Sequence, residues 1–332
     1  MIKKLMVPVL VFLLVLSLFS CSPSPTAMTV GKNKVDASEY AYYLNHNGLS
    51  LDAHNSGTTV LSQNDLLARA HEQAQLQITN SEIIRLKCDQ LGLELSDEQK
   101  DQLKEEKEAL IESLGGKAAY LEYLNENMLT DRLYDKLQEY NHYYSMLYEH
   151  VSSDPANGVG SDQELRQFFA DNYIQVKFIR MSTLDENGDL LDEERLNVLT
   201  AKASEVLAQI NNGTMTFDDA LNQHNDDPVM AQSPGGIVIS KQDATLHEYS
   251  ADAFAMSDGE VSSVKLYSDG YYIITKMSAP ANYFDEHRDK IVIDAADWAF
   301  SNFLELSKSS TAVSVSGVCQ KMNFENLAEY VK

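Results

Sequence analysis

Apolar residues recur at three- and four-residue spacing along most of the first 150 residues, which is the pattern of amphipathic helices. A short alternating stretch from Met28 to Val35 comes first and favours a strand. The helical pattern then predicts helices at residues 38–44, 64–91, 96–114, 117–125 and 130–151, with 64–91 forming either one helix or two. Residues 45–63 are rich in Gly, Ser, His and Asn and are predicted to be a loop.

Local signals mark several helix ends. Ser96 and Ser161 each begin a capping box, with Gln99 and Glu164 three residues later. Gly92 follows the last apolar residue of its segment and is predicted to end that helix.

The pattern changes after residue 160. Strands are predicted at 174–181, 237–239 and 271–277, helices at 196–209 and 217–224, and a tight turn at Pro234-Gly235-Gly236. A long helix at 283–307, an alternating stretch at 313–318 and a last helix at 323–331 complete the chain. The predicted fold class is therefore α+β, a mostly helical body with an inserted α+β module.

The N-terminus has the features of an export signal. Lys3 and Lys4 precede an uncharged run at residues 5–19, and a helix over this run measures only about 24 Å, short of the roughly 30 Å bilayer core. The end of the run, Leu18-Phe19-Ser20-Cys21, resembles the lipobox of bacterial lipoproteins. That resemblance implies lipidation at Cys21 and an anchor on the extracytoplasmic face of a bacterial membrane. A cleaved soluble product and an uncleaved anchor remain alternatives.

Composition narrows the function further. The 332 residues carry 26 Lys plus Arg against 50 Asp plus Glu, a net charge of −24, which disfavours nucleic acid as a partner. The Cys and His spacings match no metal-site motif, so no metal or other cofactor is expected. After export, Cys88 and Cys319 are the two remaining thiols, and a disulfide between them stays open.

The second half of the chain carries a recognisable series of short motifs. They are Phe217-Asp218-Asp219-Ala220, Asp226-Asp227-Pro228, Pro234-Gly235-Gly236, Gly259-Glu260-Val261-Ser262 and Gly270-Tyr271-Tyr272-Ile273-Ile274. In order and spacing they resemble the parvulin-type peptidyl-prolyl isomerases over about residues 173–279. The helical flanks are similar to the extracytoplasmic foldases and chaperones of the SurA and PrsA kind.

The resemblance implies a division of the chain into four segments. Residues 1–20 form the signal, 21–160 an N-terminal helical chaperone-like domain and 161–280 the isomerase-like domain, while 281–332 form a helical segment that returns to the N-terminal domain. In that architecture both ends of the chain build the body that binds unfolded clients.

Isomerisation of an X-Pro bond has a barrier of about 20 kcal/mol and requires no covalent step. A site helps by binding the twisted amide better than either planar form. The resemblance implies that Val238, Tyr249 and Phe254 shape the apolar cup for proline. Packing in the core, without contact to a substrate, is the alternative for Tyr249 and Phe254. It also places Asp227 beside the substrate carbonyl, although an aspartate before Pro228 is also typical of a turn cap.

Two departures from the parvulin pattern concern histidines. Phe178 and Tyr272 stand at the positions where the family has them, so Tyr272 is the second predicted catalytic residue beside Asp227, and Phe178 a predicted substrate contact. Tyr272 can donate a hydrogen bond and Phe178 cannot. Isomerase activity is therefore expected to be weak or lost.

The expected function is that of a lipid-anchored, extracytoplasmic foldase or chaperone that binds exported unfolded polypeptides through X-Pro segments. A non-catalytic holdase and a structural surface lipoprotein are the alternatives. The acidic loop at 185–194 disfavours recognition of phosphorylated residues. The oligomeric state and the clients stay open.

Overall fold

The computed structural model describes residues 24–54, 61–154, 160–242 and 247–331. The predicted signal at 1–20 and the lipidation residue Cys21 lie outside these ranges. Within the described ranges, no helix combines the length and the apolar character needed to span a bilayer.

The helices and strands have the following bounds. The helices are α1 Ala37–His54, α2 Gln63–Leu91, α3 Asp97–Ser113, α4 Lys117–Glu126, α5 Asp131–Ser152, α6 Asp162–Asn172, α7 Glu193–Asn211, α8 Phe217–His224, α9 Pro228–Gln232, α10 Ser250–Ala255, α11 Ala281–Glu286 and α12 Arg288–Ser310. The strands are β1 Thr26–Val30, β2 Asn33–Asp36, β3 Tyr173–Ser182, β4 Ile237–Ser240, β5 Lys265–Tyr267, β6 Gly270–Ser278 and β7 Val313–Val315. The predicted α+β class is confirmed.

The described residues divide into two compact units, 24–143 with 308–331 and 144–307. In the first unit, β1 pairs antiparallel with both β2 and β7, and Met28 lies opposite Val315 in the second of these pairs. Cys319 and Met322, which follow β7, are buried in the same core as α1 and α2. Residues 308–331 are thus part of the first unit, whereas 281–307 belong to the second.

The two thiols do not form a disulfide. Cys88 and Cys319 are both free and buried. The Cys319 thiol donates to the Ala27 carbonyl oxygen at 3.2 Å, and the Cys88 thiol donates to the Tyr143 carbonyl oxygen at 3.5 Å.

The predicted helix caps are confirmed where the signal is local. Both capping boxes form, Ser96 with Gln99 and Ser161 with Glu164. Residues 63–91 are one helix, which ends at Gly92 in the left-handed conformation with φ +68°.

Helix α1 differs from its prediction at both ends. Its first turn is capped by Asp36, which accepts from the Glu39 amide at 2.9 Å, and not by Ser38. The helix continues to His54, so residues 45–54 are helical and the predicted loop there is wrong. Gly48 allows the close approach of Phe324 from the C-terminal segment, because an added Cβ would lie 2.3 Å from that ring.

The C-terminal predictions are also corrected. The helix predicted at 283–307 is interrupted at His287 and continues to Ser310. No regular helix forms at 323–331, where only the short 3₁₀ turn Leu327–Glu329 is present. Asn323 and Asn326 each accept a hydrogen bond from the other's backbone amide, and such side-chain bonds compete with helix formation.

The second unit contains an antiparallel sheet of order β4-β3-β6-β5. Its central pair, β3 and β6, runs in register from Ile174 opposite Ser278 to Ser182 opposite Gly270. Gly236 has φ +102°, and an added Cβ would lie 2.7 Å from the Val176 carbonyl oxygen. Glycine is therefore required where the chain turns into β4.

Candidate functional site

Three aromatic rings meet on one face of this sheet. The ring centroids of Phe178 and Tyr249 are 4.8 Å apart, those of Phe178 and Tyr272 are 5.3 Å apart, and those of Tyr249 and Tyr272 are 5.8 Å apart. The exposed fractions are 3% for Phe178 and 6% for each tyrosine. We name these three residues the aromatic cluster.

The register of β3 against β6 brings the rings of Phe178 and Tyr272 together. Arg180 on β3 lies opposite Tyr272 on β6, and Phe178 lies opposite Ile274. Because side chains alternate between sheet faces, Phe178 and Arg180 share a face with Tyr272. Tyr249, the residue that immediately precedes α10, contacts both rings.

Asp227 lies beside this cluster and caps a helix. Its carboxylate accepts from the amides of Val229 and Met230, both at 2.9 Å, at the start of α9. Asp227 therefore acts as a cap, which is the alternative that the sequence Asp227-Pro228 indicates. Burial, with a smaller contribution from the charge of Asp227, raises the pKa of Tyr249 above its usual value.

A charged network underlies the cluster. The Tyr272 hydroxyl donates to Asp269 at 3.0 Å, and the Arg180 guanidinium contacts Asp269 at 2.6 Å and Asp227 at 3.6 Å. Neither Arg180 nor Asp269 is among the residues predicted from the sequence. Strand alternation is enough to predict that Arg180 shares a face with Phe178, because the two residues are two positions apart. Asp269 lies in the turn before β6, and no sequence pattern there indicates that it belongs to the site.

A surface pocket of about 320 Å³ opens next to the cluster. Its lining residues are His247, Glu248, Tyr249, Tyr267, Ser268, Asp269 and Tyr272. Burial raises the pKa values of Tyr267 and Tyr272, so their hydroxyls stay protonated at neutral pH. The pocket thus combines tyrosine walls with carboxylates.

Two predicted cup residues are not members of the aromatic cluster. Phe254 is half-buried and packs on the edge of the core that contains the aromatic cluster, with the Lys241 ammonium 5.9 Å from its ring centroid. Val238 packs against a different cluster, built around Phe168, Phe169 and Phe284. Because its neighbour Ile237 packs on the aromatic side, strand alternation turns Val238 to the opposite face. The structure does not bring Val238 together with the other predicted residues.

Among the described residues, no group of three or more His, Cys, Asp or Glu side chains is arranged to hold a metal ion.

Residues 181–278 match the family model of the PPIC-type PPIase domain, the rotamases. This segment is a PPIC-type domain, and the predicted resemblance to the parvulin-type isomerases is confirmed. No curated protein matches the chain significantly.

Similar solved structures include two peptidylprolyl isomerases named PrsA. That of Bacillus anthracis has 16% identity and a TM-score of 0.33, over 70% of this chain and 93% of that one. That of Bacillus cereus has 16% identity and a TM-score of 0.35, over 83% and 99%. One of the SurA-like chaperones PEB4 and Cj1289 of Campylobacter jejuni has 12% identity and a TM-score of 0.32, over 89% and 100%. The assignment of the domain rests on the family match.

Proposed function

We propose that the protein is an exported foldase whose PPIC-type domain binds proline-containing segments of unfolded polypeptides and catalyses their isomerisation only weakly. The observation that carries the proposal is the aromatic cluster beside Asp227, next to an open pocket. Aromatic faces and edges bind a proline ring through apolar contact, and the pocket gives a peptide access to Tyr249 and Tyr272.

Weak catalysis follows from the residues that surround the cluster. Phe178 has no group that donates or accepts a hydrogen bond, and the hydroxyl of Tyr272 is engaged with Asp269. The carboxylate of Asp227 is engaged by two backbone amides and lies 3.6 Å from Arg180. Few free polar groups remain to stabilise a twisted amide.

A purely binding role is the second candidate. The same engagement of Tyr272 and Asp227 favours it, because a site can hold an X-Pro segment without lowering the barrier to rotation. In that case the protein suppresses aggregation of exported chains and leaves the isomerisation rate unchanged. A structural surface lipoprotein is the third candidate and binds no unfolded client.

The cellular setting belongs to the same proposal. Residues 1–20 are removed during export, Cys21 carries the lipid, and the protein stays on the extracytoplasmic face of a bacterial membrane. Metabolic labelling with a fatty acid tests this directly, since a Cys21→Ser variant should lose the label.

The test of function pairs two assays on the chain that begins at Ser22. NMR exchange spectroscopy measures the cis–trans rate of a short Xaa-Pro peptide, and light scattering follows aggregation of an unfolded protein at equimolar ratio. We expect a small, saturable rate increase together with slower aggregation. Slower aggregation without any rate increase supports the binding role, and no effect in either assay contradicts both.

A matched pair of variants links the effect to the cluster. Tyr249→Leu removes one ring of the cluster, and Tyr134→Leu removes a ring of similar burial from the first unit. Tyr249→Leu should reduce the rate increase severalfold, whereas Tyr134→Leu should leave it unchanged.

A further inference from the structure

We propose that the pocket beside the aromatic cluster selects Lys or Arg as the residue that immediately precedes proline in the bound segment. Glu248 and Tyr267 are the specificity-determining residues. This inference rests on the proposed function, since it concerns the substrate class of the same site.

The walls of the pocket suit a cation. The rings of Tyr267 and Tyr272 meet edge to face with centroids 5.2 Å apart, and Tyr249 lies 5.8 Å from Tyr272. Tyrosine faces attract ammonium and guanidinium groups through the negative charge on the ring face. The tyrosine hydroxyls stay protonated, so these rings are neutral and attract a cation through their faces alone.

The rim of the pocket carries negative charge. Glu248 is exposed, and its carboxylate accepts from the Ser268 amide at 2.8 Å. Within the described ranges, Glu248 forms no ion pair with Lys or Arg, so its charge is available to a ligand. Asp269, the second lining carboxylate, shares its charge with Arg180.

The cations nearby are already engaged. Arg180 is held between Asp269 and Asp227, and Lys265 pairs with Asp252 at 2.9 Å. His247 also lines the pocket and stacks on Tyr249 with ring centroids 5.1 Å apart. With this imidazole counted as neutral, Asp227, Glu248 and Asp269 against Arg180 leave the surroundings of the pocket negative. A cationic side chain therefore gains a favourable interaction there, and a glutamate is repelled.

One bound peptide can contact the aromatic cluster and the pocket at the same time, because neighbouring residues of a chain are close together. Consecutive Cα atoms are about 3.8 Å apart across a trans peptide and about 2.9 Å apart across a cis one. Tyr249 and Tyr272 belong to both the cluster and the pocket, so a proline against these rings has its neighbour at the pocket mouth. Lysine reaches into the pocket on its flexible four-carbon stem.

The test uses three peptides, Ala-Lys-Pro-Phe, Ala-Ala-Pro-Phe and Ala-Glu-Pro-Phe, with the chain that begins at Ser22. NMR titration gives the affinity of each peptide, and exchange spectroscopy gives its isomerisation rate. We expect the Lys peptide to bind about tenfold more tightly than the Glu peptide, which equals about 1.4 kcal/mol. The preference should shrink in 1 M NaCl, where charges are screened over about 3 Å.

Two variants separate the pocket from general electrostatics. Glu248→Gln removes one negative charge and keeps an oxygen for the Ser268 amide. Glu260→Gln is the matched control, because Glu260 is also exposed and accepts from the Ser257 amide at 2.8 Å but does not line the pocket. Glu248→Gln should reduce the Lys preference to about threefold or less, and Glu260→Gln should leave it intact.

A Tyr267→Leu variant tests the aromatic wall, and it should weaken the Lys peptide more than the Ala peptide. Equal binding of all three peptides overturns the inference and leaves the proposed function standing. An unchanged preference in Glu248→Gln also overturns it. Failure of every peptide to bind overturns both the inference and the proposed function.

Discussion

Phe178 and Tyr272 lie on the adjacent strands β3 and β6 with their ring centroids 5.3 Å apart, and both contact Tyr249. The parvulin resemblance implies histidines at these two positions. Here the polar contacts run instead from the Tyr272 hydroxyl to Asp269 and from there to Arg180. Phe178 has no hydrogen-bonding group, and the Tyr272 hydroxyl is engaged with Asp269, so neither ring offers the free polar group that an imidazole would.

Restoring the imidazoles should therefore increase catalysis. In the double variant Phe178→His/Tyr272→His, we expect the isomerisation rate of a bound Xaa-Pro peptide to rise about tenfold, because one added hydrogen bond contributes about 1 to 1.5 kcal/mol. Exchange spectroscopy measures this rate. Burying the added polar groups should lower the free energy of unfolding by about 1 to 3 kcal/mol. The control Phe178→Leu/Tyr272→Phe, which adds no donor, should show no gain, and an equal gain in both would refute the explanation.

Asp227 should have two separable roles. Asp227→Ala removes the cap of α9 and should cost about 1 kcal/mol of stability, whereas Asp227→Asn keeps a capping side chain and should cost less. Both variants remove the charge and should lower peptide exchange. Thr216→Ala removes the cap of α8 and serves as the matched control, with a similar loss of stability and unchanged exchange. Thermal denaturation and exchange spectroscopy measure the two effects. Normal exchange in Asp227→Asn would show that the carboxylate charge takes no part.

How much of the fold the sequence predicts depends on how far apart in the sequence the interacting residues lie. The capping boxes at Ser96 and Ser161 and the helix end at Gly92 were predictable because the partners lie within a few residues. Helix α1 runs past residue 44 in contact with Phe324, a residue far away in the sequence. No local pattern contains that contact.

The same limit applies to the site. The resemblance to the parvulin pattern selects Phe178, Tyr249 and Tyr272, and the structure brings these three rings together. The orientation of Val238 could not be predicted in this way. Its strand has only four residues and carries apolar side chains on both faces, so the alternation does not reveal which face belongs to the site. Asp269 was missed because only the turn before β6 brings it to Arg180.

Gly236 should tolerate substitution far less than its neighbour. Gly236→Ala should lower the free energy of unfolding by about 1 to 3 kcal/mol, because its φ of +102° and the Val176 carbonyl oxygen both disfavour a Cβ. Gly235→Ala should change stability by about 0.5 kcal/mol or less, since nothing lies within 4 Å of an added Cβ there. Urea denaturation compares the two variants. Equal losses would mean that the turn does not depend on Gly236.

A buried charge cluster in the first unit should make stability depend on Lys136. Its ammonium lies 2.7 Å from Glu39 and 2.5 Å from Glu82, and both carboxylates are 4% exposed. Lys136→Met leaves two buried carboxylates without this partner and should cost about 3 to 5 kcal/mol at pH 7. Lys104→Met, which breaks the exposed pair with Glu108, should cost about 1 kcal/mol or less.

The loss in Lys136→Met should shrink as the pH falls. Burial raises the pKa of Glu39 above 4.5, an effect that Lys136 partly offsets. A raised folded-state pKa favours the fold most below the unfolded pKa, and this contribution is lost as the pH rises through the folded value. The deficit of the variant against the wild type should therefore be largest at pH 7 and smallest near pH 4.5. Urea denaturation across this range measures it, and a deficit independent of pH would argue against carboxylate burial as the cause.

Binding of a proline segment at the aromatic cluster should perturb the tyrosine rings, which NMR of tyrosine-labelled protein detects in titrations with Ala-Lys-Pro-Phe and with Ala-Lys-Ala-Phe. We predict that the proline peptide shifts the ring signals of Tyr249 and Tyr272, and that it leaves Tyr120 in the first unit unchanged. The peptide without proline should shift them much less. Unshifted Tyr249 and Tyr272 signals at saturating peptide, or equal shifts with both peptides, would contradict the account.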